Sequence, residues 1–228
     1  MTGLQPALGA GFGCGTIVGM DSLRPRRSVL FMPGANARAL EKARSIDCDG
    51  IIIDLEDAVA PDLKVEARER AAGVVKEHPY GYREVAIRVN GMDTQWYHDD
   101  LAAAVAAGPD AIAVPKVGSA EHVHAIVADM EAAGADESVK LWAMIETPRA
   151  VLDCLDIAEA SDRLTVLIMG TNDLTKELRA SHVAGRAPVV TALQMCMLAA
   201  RAAGTAILDG VYNDCLLYTS DAADDSLR

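Results

Sequence analysis

Two carboxylates stand just beyond two apolar runs: Glu146 directly after LWAMI, and Asp173 four residues past the end of TVLIM. If those runs are neighbouring β-strands, both side chains project from adjacent strand ends into one pocket. Two hard oxygen ligands, completed by waters and a chelating substrate, suit Mg²⁺, with Mn²⁺ as a second choice, and need no third protein ligand. The plainer reading is that each carboxylate caps a helix or pairs with Arg149 or Lys176. The residues alone leave both readings open.

Other reactive groups fall at similar places. Arg88 continues the apolar run VAIRVN, where a buried guanidinium must find an anion; a bidentate carboxylate or carbonyl ligand suits its planar fork, as does an internal ion pair with Glu56 or Asp57. Asp54, Glu56 and Asp57 put three carboxylates within four residues of IIIDLEDAV, a costly grouping unless cations or metal-bound waters are near. Gly170, Thr171 and Asn172 precede a helix expected to start near Asp173, and their backbone N–H groups could seat a substrate carboxylate or act as an ordinary cap. Lys116 ends AVPK and faces either the pocket or a neighbouring carboxylate. The glycine run Gly9, Gly11, Gly13 and Gly15 has no preceding strand, so a phosphate loop is discounted. His122 and His124 lie two apart on a helix and face different sides, which does not suit a metal.

The elements that must position these groups follow from periodicity. Short apolar runs alternate with Ala-rich amphipathic stretches from Ser28 onward, the pattern of βα units and a parallel sheet buried on both faces. Strands are expected at Ser28–Met32, Gly50–Asp54, Glu84–Val89, Ala111–Pro115, Leu141–Ile145, Thr165–Met169 and Thr205–Asp209, and helices at Asp62–Glu77, Gln95–Ala107, Ala120–Ala133, Pro148–Ala160 and Ala187–Ala203. Nearly every unusual polar residue comes just after a strand, in FMPG, DLED, RVNG, VPK, MIET, MGTND and LDGVYND. In a parallel (β/α)₈ barrel those ends share the face on which barrel enzymes assemble their sites. A flavodoxin-like open sheet is the alternative, with fewer strands and one switch-point crevice.

Bulk properties narrow the class. The chain has 228 residues, 51% hydrophobic and 24% charged, enough for a substantial single-domain core. A net charge of −12 argues against nucleic-acid binding and for an enzyme that uses local cations for anionic ligands. Five cysteines fit neither a CxxC pair nor a disulfide framework, pointing to a reducing cytoplasm. No stretch approaches the roughly 18 apolar residues of a membrane span. Residues 1–23 read as a disordered extension or an early-called start, with Met20 the preferred beginning.

Taken together, RRSVLFMPG, DLEDAVAPDLKVEAR, IRVNGMDT, VPKVG, WAMIETP, MGTNDL and LDGVYND resemble the citrate lyase beta-subunit family of CoA-ester lyases, malyl-CoA lyases and malyl-CoA thioesterases above all. The likeness covers about Arg26 to Asp214. It implies a TIM barrel, Mg²⁺ on Glu146 and Asp173, a substrate-binding catalytic arginine at Arg88, an acidic set behind the site at Glu56 and Asp57, and keto-acid contacts from Glu146, Gly170, Thr171 and Asn172. It also implies coenzyme A contacts at Phe31 and Lys42, with Asn36 standing where some members carry a basic residue. The implied reaction is cleavage of a 3-hydroxyacyl-CoA of malyl, methylmalyl, citramalyl or citryl type to acetyl- or propionyl-CoA and a keto acid, with malyl-CoA hydrolysis on the same scaffold, or a catalytically silent homologue, as the alternatives. A trimeric or hexameric homo-oligomer would be the usual assembly. One departure concerns the end of the chain: family members continue past GVYND to an eighth strand and an acid/base aspartate, whereas CLLYTSDAADDSLR reads as neither. The expectation is therefore a barrel domain of about seven units at 24–214, a non-family tail at 215–228, unpaired edges on the first and last strands, and poor solubility or oligomeric rescue.

Overall fold

A computed structural model describes residues 24–212; the expectations placed on 1–23, on Cys14 and the glycine run, and on the tail from Asp214 lie outside the described residues. Seven strands form one sheet, paired parallel in strict chain order: β1 (Val29–Pro33), β2 (Gly50–Asp54), β3 (Glu84–Arg88), β4 (Ala111–Val114), β5 (Lys140–Ile145), β6 (Leu164–Met169) and β7 (Ala206–Leu208). Each expected strand is present, within a residue of its expected bounds at either end. The β-branched and apolar run GIIID is buried at every position, as is AIAV, because both faces of the sheet are covered.

Two apolar clusters divide the core. Ile51, Ile53, Ile87, Ile112, Leu141 and Leu167 point outward against the helices, while Ile52, Ala86, Ala111, Ala113, Trp142, Met144, Val166 and Ile168 fill the concave side. Small alanines on β3 and β4 leave room there for the indole of Trp142. The sheet is thus an incomplete (β/α)₈ barrel of seven strands, curled around its own interior and coated by helices. The open-sheet alternative fails on strand order, which has no switch point.

The helices are α1 (Ala37–Ala43), α2 (Lys64–Lys76), α3 (Tyr97–Ala107), α4 (Ala120–Ala132), α5 (Pro148–Leu152), α6 (Cys154–Glu159), α7 (Thr171–Glu177) and α8 (Ala187–Ala203). Asn36, Ser119 and Thr147 cap α1, α4 and α5 by accepting from the N–H three residues on, and Gly108 and Gly204 end α3 and α8 in the left-handed conformation. The single helix expected over Pro148–Ala160 is broken at Asp153 (φ −96°, ψ 13°), so the segment bends around the barrel as α5 and α6. Helix α1 carries no long apolar repeat and only its cap announces it.

Among the described residues, β1 and β7 each pair on one side only. Both are half-buried along their whole length, in contrast to the strands between them. The expectation of two open edges holds within that range.

Candidate active site

Side chains alternate across each strand, so a residue two beyond an interior apolar residue faces the same interior. Stepping two from Ile52, Ala86, Ala113, Met144, Ile168 and Leu208 reaches Asp54, Arg88, Pro115, Glu146, Gly170 and Gly210. One polar layer therefore lies directly above the apolar plug, at the C-terminal ends of the strands. Asp54 and Arg88 sit opposite each other in the β2–β3 register.

Arg88 and Asp54 form a fork. Nε donates to Oδ1 and Nη2 to Oδ2, each at 2.7 Å, with the Asp54 side chain 1% exposed. The same carboxylate accepts from the backbone N–H of Glu56 (2.8 Å) and Ala58 (3.0 Å), which curls the DLED loop back over the barrel mouth. Burial opposes the Arg88 charge, but Asp54, Glu56 and Asp57 outweigh it and hold the guanidinium above the ordinary arginine value. Glu56 Oε2 lies 2.8 Å from Nη1 in charge contact but has no aligned hydrogen bond. Asp57 is 3.9 Å away and largely exposed. The partner expected among Glu56 and Asp57 is thus first of all Asp54, one strand over, because register places it there. The Phe31 ring stacks 5.1 Å from the guanidinium, and Met144 Sδ lies 3.8 Å from Nη1.

Glu146 follows β5 and is 3% exposed. Its Oε2 accepts from the Lys116 backbone N–H at 2.7 Å, a bond that fixes Lys116 in the left-handed region at φ 54°. It caps no helix, since Thr147 does that for α5, and Arg149 pairs instead with Asp153 at 3.6 Å. Burial raises the Glu146 pKa, and the nearby Asp173 charge raises it further against the pull of Lys116 and Arg88. Neither carboxylate forms an ion pair with a described Lys, Arg or His. A bound cation would relieve both the burial of Glu146 and its repulsion from Asp173.

Gly170 supplies the seat. A Cβ there would stand 2.3 Å from Glu146 Cγ and 2.4 Å from Oε1, so only glycine lets the β6 end pack onto that carboxylate. Gly210 does the same for Thr171, whose Oγ1 a Cβ would meet at 2.2 Å. Helix α7 begins at Thr171 with Gly170 as its cap residue, so Thr171, Asn172 and Asp173 form its first turn and do not precede it as expected. Asp173 is half-buried. No group of three or more His, Cys, Asp or Glu side chains among the described residues is placed to hold a metal. The donor set suits Mg²⁺: two hard oxygen donors, one buried and cradled just past β5 and one on the first turn of α7, which follows the neighbouring β6. Lys42 stands exposed on α1, whereas Phe31 points into the interior beside Arg88.

Sequence reasoning missed a second buried polar set: Lys64, Asn90 and Asp100. The signal was present. Lys64 occupies the same helical stripe as the buried Ala67, Ala71 and Val75, and Asp100 sits among the buried Tyr97, Leu101 and Ala104.

Comparison with known proteins places this geometry. A profile of the family described as HpcH/HpaI aldolase/citrate lyase matches residues 27–219. The chain is 49% identical over 189 residues to a (3S)-malyl-CoA thioesterase of Cereibacter sphaeroides, covering 83% of this chain and 64% of that protein. It is 34% identical over 196 residues to the citrate lyase subunit beta of Escherichia coli, covering 84% and 65%. The chain thus spans a little under two thirds of these relatives. Among solved structures, the citrate lyase beta subunit of M. tuberculosis complexed with oxaloacetate and magnesium superposes with a TM-score of 0.71 at 26% identity, covering 88% of this chain and 84% of that one. Protein CitE of Mycobacterium tuberculosis in complex with magnesium, acetoacetate and coenzyme A gives 0.68 at 28%, covering 83% and 67%.

Proposed function

The chain belongs to the HpcH/HpaI aldolase/citrate lyase family, and from that premise we propose that its site serves Mg²⁺-dependent carbon–carbon cleavage of a short 3-hydroxyacyl-CoA to acetyl- or propionyl-CoA and a keto acid such as glyoxylate. The observation that carries this reading is the single polar layer in which the Arg88–Asp54 fork faces the Gly170-seated Glu146. Relatives solved with magnesium, oxaloacetate, acetoacetate and coenzyme A support the ligand class.

Glu146 and Asp173 would hold the ion, which when bound would supply Lewis acidity toward the keto-acid half. Gly170, Thr171 and Asn172 bring the N-terminal turn of α7 to the same half. Arg88 commits Nε and Nη2 to Asp54, while Nη1 has a sulfur contact, the unaligned Glu56 carboxylate and the more distant, exposed Asp57. That corner of the fork is the donor for the oxygen that turns from hydroxyl to carbonyl as the C2–C3 bond breaks. The hydroxyl proton leaves to a base, the bond electrons pass to the thioester as an enolate, and a proton returns to its carbon. The stack of Phe31 on the guanidinium keeps Nη1 aimed and dry. Phe31 with Lys42 remains our assignment for the coenzyme A side.

A second reading, hydrolysis of malyl-CoA to malate and free coenzyme A, is favoured by the 49%-identical thioesterase relative. Both use the same seat. Incubating the 228-residue chain with malyl-CoA and Mg²⁺ separates them: acetyl-CoA with glyoxylate supports cleavage, malate with free thiol supports hydrolysis, and neither product with metal saturating contradicts both.

A further inference from the structure

Lys64 is the first residue of α2 and only 5% exposed. Its ammonium donates to Leu55 O (2.8 Å), Glu56 O (2.7 Å) and Asn90 Oδ1 (2.7 Å), so its three donors are matched by three neutral acceptors. The Asn90 amide in turn donates to Leu55 O (3.0 Å) and to Asp100 Oδ2 (2.5 Å), and Arg68 Nε closes the set on Asp100 Oδ1 at 2.7 Å. Trp96 lies over the ammonium at 5.3 Å. Two of the three acceptors are backbone carbonyls of the loop that carries Glu56. A lysine in an apolar helical stripe, with two of its three hydrogen bonds given to one loop's carbonyls, is out of proportion to fold support, which an aliphatic side chain would supply.

The consequence lies one residue on. Asp54 fixes the N–H groups of Glu56 and Ala58, and Lys64 fixes the carbonyls of Leu55 and Glu56. With its backbone held by both residues, the loop presents the Glu56 carboxylate 2.8 Å from Nη1 of Arg88. We propose that Lys64 is a positioning residue for the keto-acid half of the site, acting through the Leu55–Glu56 backbone on the Glu56–Arg88 contact. This rests on Arg88 serving the keto acid, and it separates the two halves of the pocket: the metal seat on β5 and β6 should not feel the lysine.

Two readouts on the 228-residue chain test it. In Lys64→Met, amide exchange at Glu56 and Ala58 should accelerate at least about tenfold while the β2 and β3 amides keep their protection. Glyoxylate affinity in saturating Mg²⁺ should fall at least about tenfold with Mg²⁺ affinity within about threefold of wild type. Lys64→Arg, which keeps donors at the position, should recover part of both. Unchanged exchange at Glu56 and Ala58 in folded Lys64→Met overturns the proposal, as does a parallel loss of Mg²⁺ and glyoxylate affinity. If Lys64→Met does not fold, Asn90→Ser, which removes one acceptor, is read by the same criteria. A wild-type chain that binds no glyoxylate sinks the proposed function, and the exchange measurement still decides whether Lys64 sets the loop.

Discussion

At the scale of single residues the site turns on atoms that have no slack. A methyl group on Gly170 would overlap Glu146, so Gly170→Ala should push that carboxylate out of place. We expect a loss of roughly 10- to 100-fold in Mg²⁺ affinity by calorimetry, with overpacking costing about 1–3 kcal/mol of stability. Replacing Arg88 by Leu strands Asp54, which is buried and accepts both forks, and should cost about 3–5 kcal/mol by denaturant unfolding. Glu56 gives a pH prediction with a definite sign. Its carboxyl is pushed from 4.5 up to about 7, chiefly by burial, with Arg88 pulling it down and Asp57, Glu146 and Asp54 adding to the rise. The folded protein therefore binds the proton more tightly than the unfolded chain, so its stability without metal should fall as pH rises from about 4.5 through about 7. Glu56→Gln should flatten that slope between pH 5 and 8; melting curves at those two pH values check it, and an unchanged slope would put the titration elsewhere.

Elements explain what could be read in advance and what could not. Strands such as GIIID and LTVLIM were legible because burial on both faces writes an unbroken apolar run, and helices α3, α4 and α8 because their apolar repeats and terminal glycine or serine mark the ends. The position of Glu146 was legible for the same reason: a polar residue directly after a strand stands out against the run before it. Register was not legible. Nothing in one strand says that Asp54 will sit opposite Arg88, so the fork's main partner came only from the β2–β3 pairing. Short helices were also obscure: α5 and α6 share one periodic pattern and the break at Asp153 leaves no Pro or Gly behind. Lys64 escaped because a charged residue in an apolar stripe is ordinarily assumed to face water. The end of α3 offers a clean element-scale test. Gly108 sits at φ 67° with open space around it, so Gly108→Ala should cost about 1–2 kcal/mol through backbone strain alone. A neutral result would mean that the helix end relaxes.

For the whole molecule, one parallel sheet curled on an apolar plug sets seven strand ends on one face, and the sheet's order brings Glu146 and the arginine fork into a common layer. Within the described range β1 and β7 carry unpaired edges and half-exposed interior faces, so the 228-residue chain should associate with rising concentration in light scattering. A concentration-independent monomer would argue that the edges are covered. The central claim is that Glu146 and Asp173 form a divalent-metal seat at the C-terminal face of this barrel. Isothermal titration of Mg²⁺ into the wild-type chain and into Glu146→Gln tests it most directly: one ion per wild-type chain, and none detectable for the folded variant, is the expected result, whereas equal binding by both would contradict it.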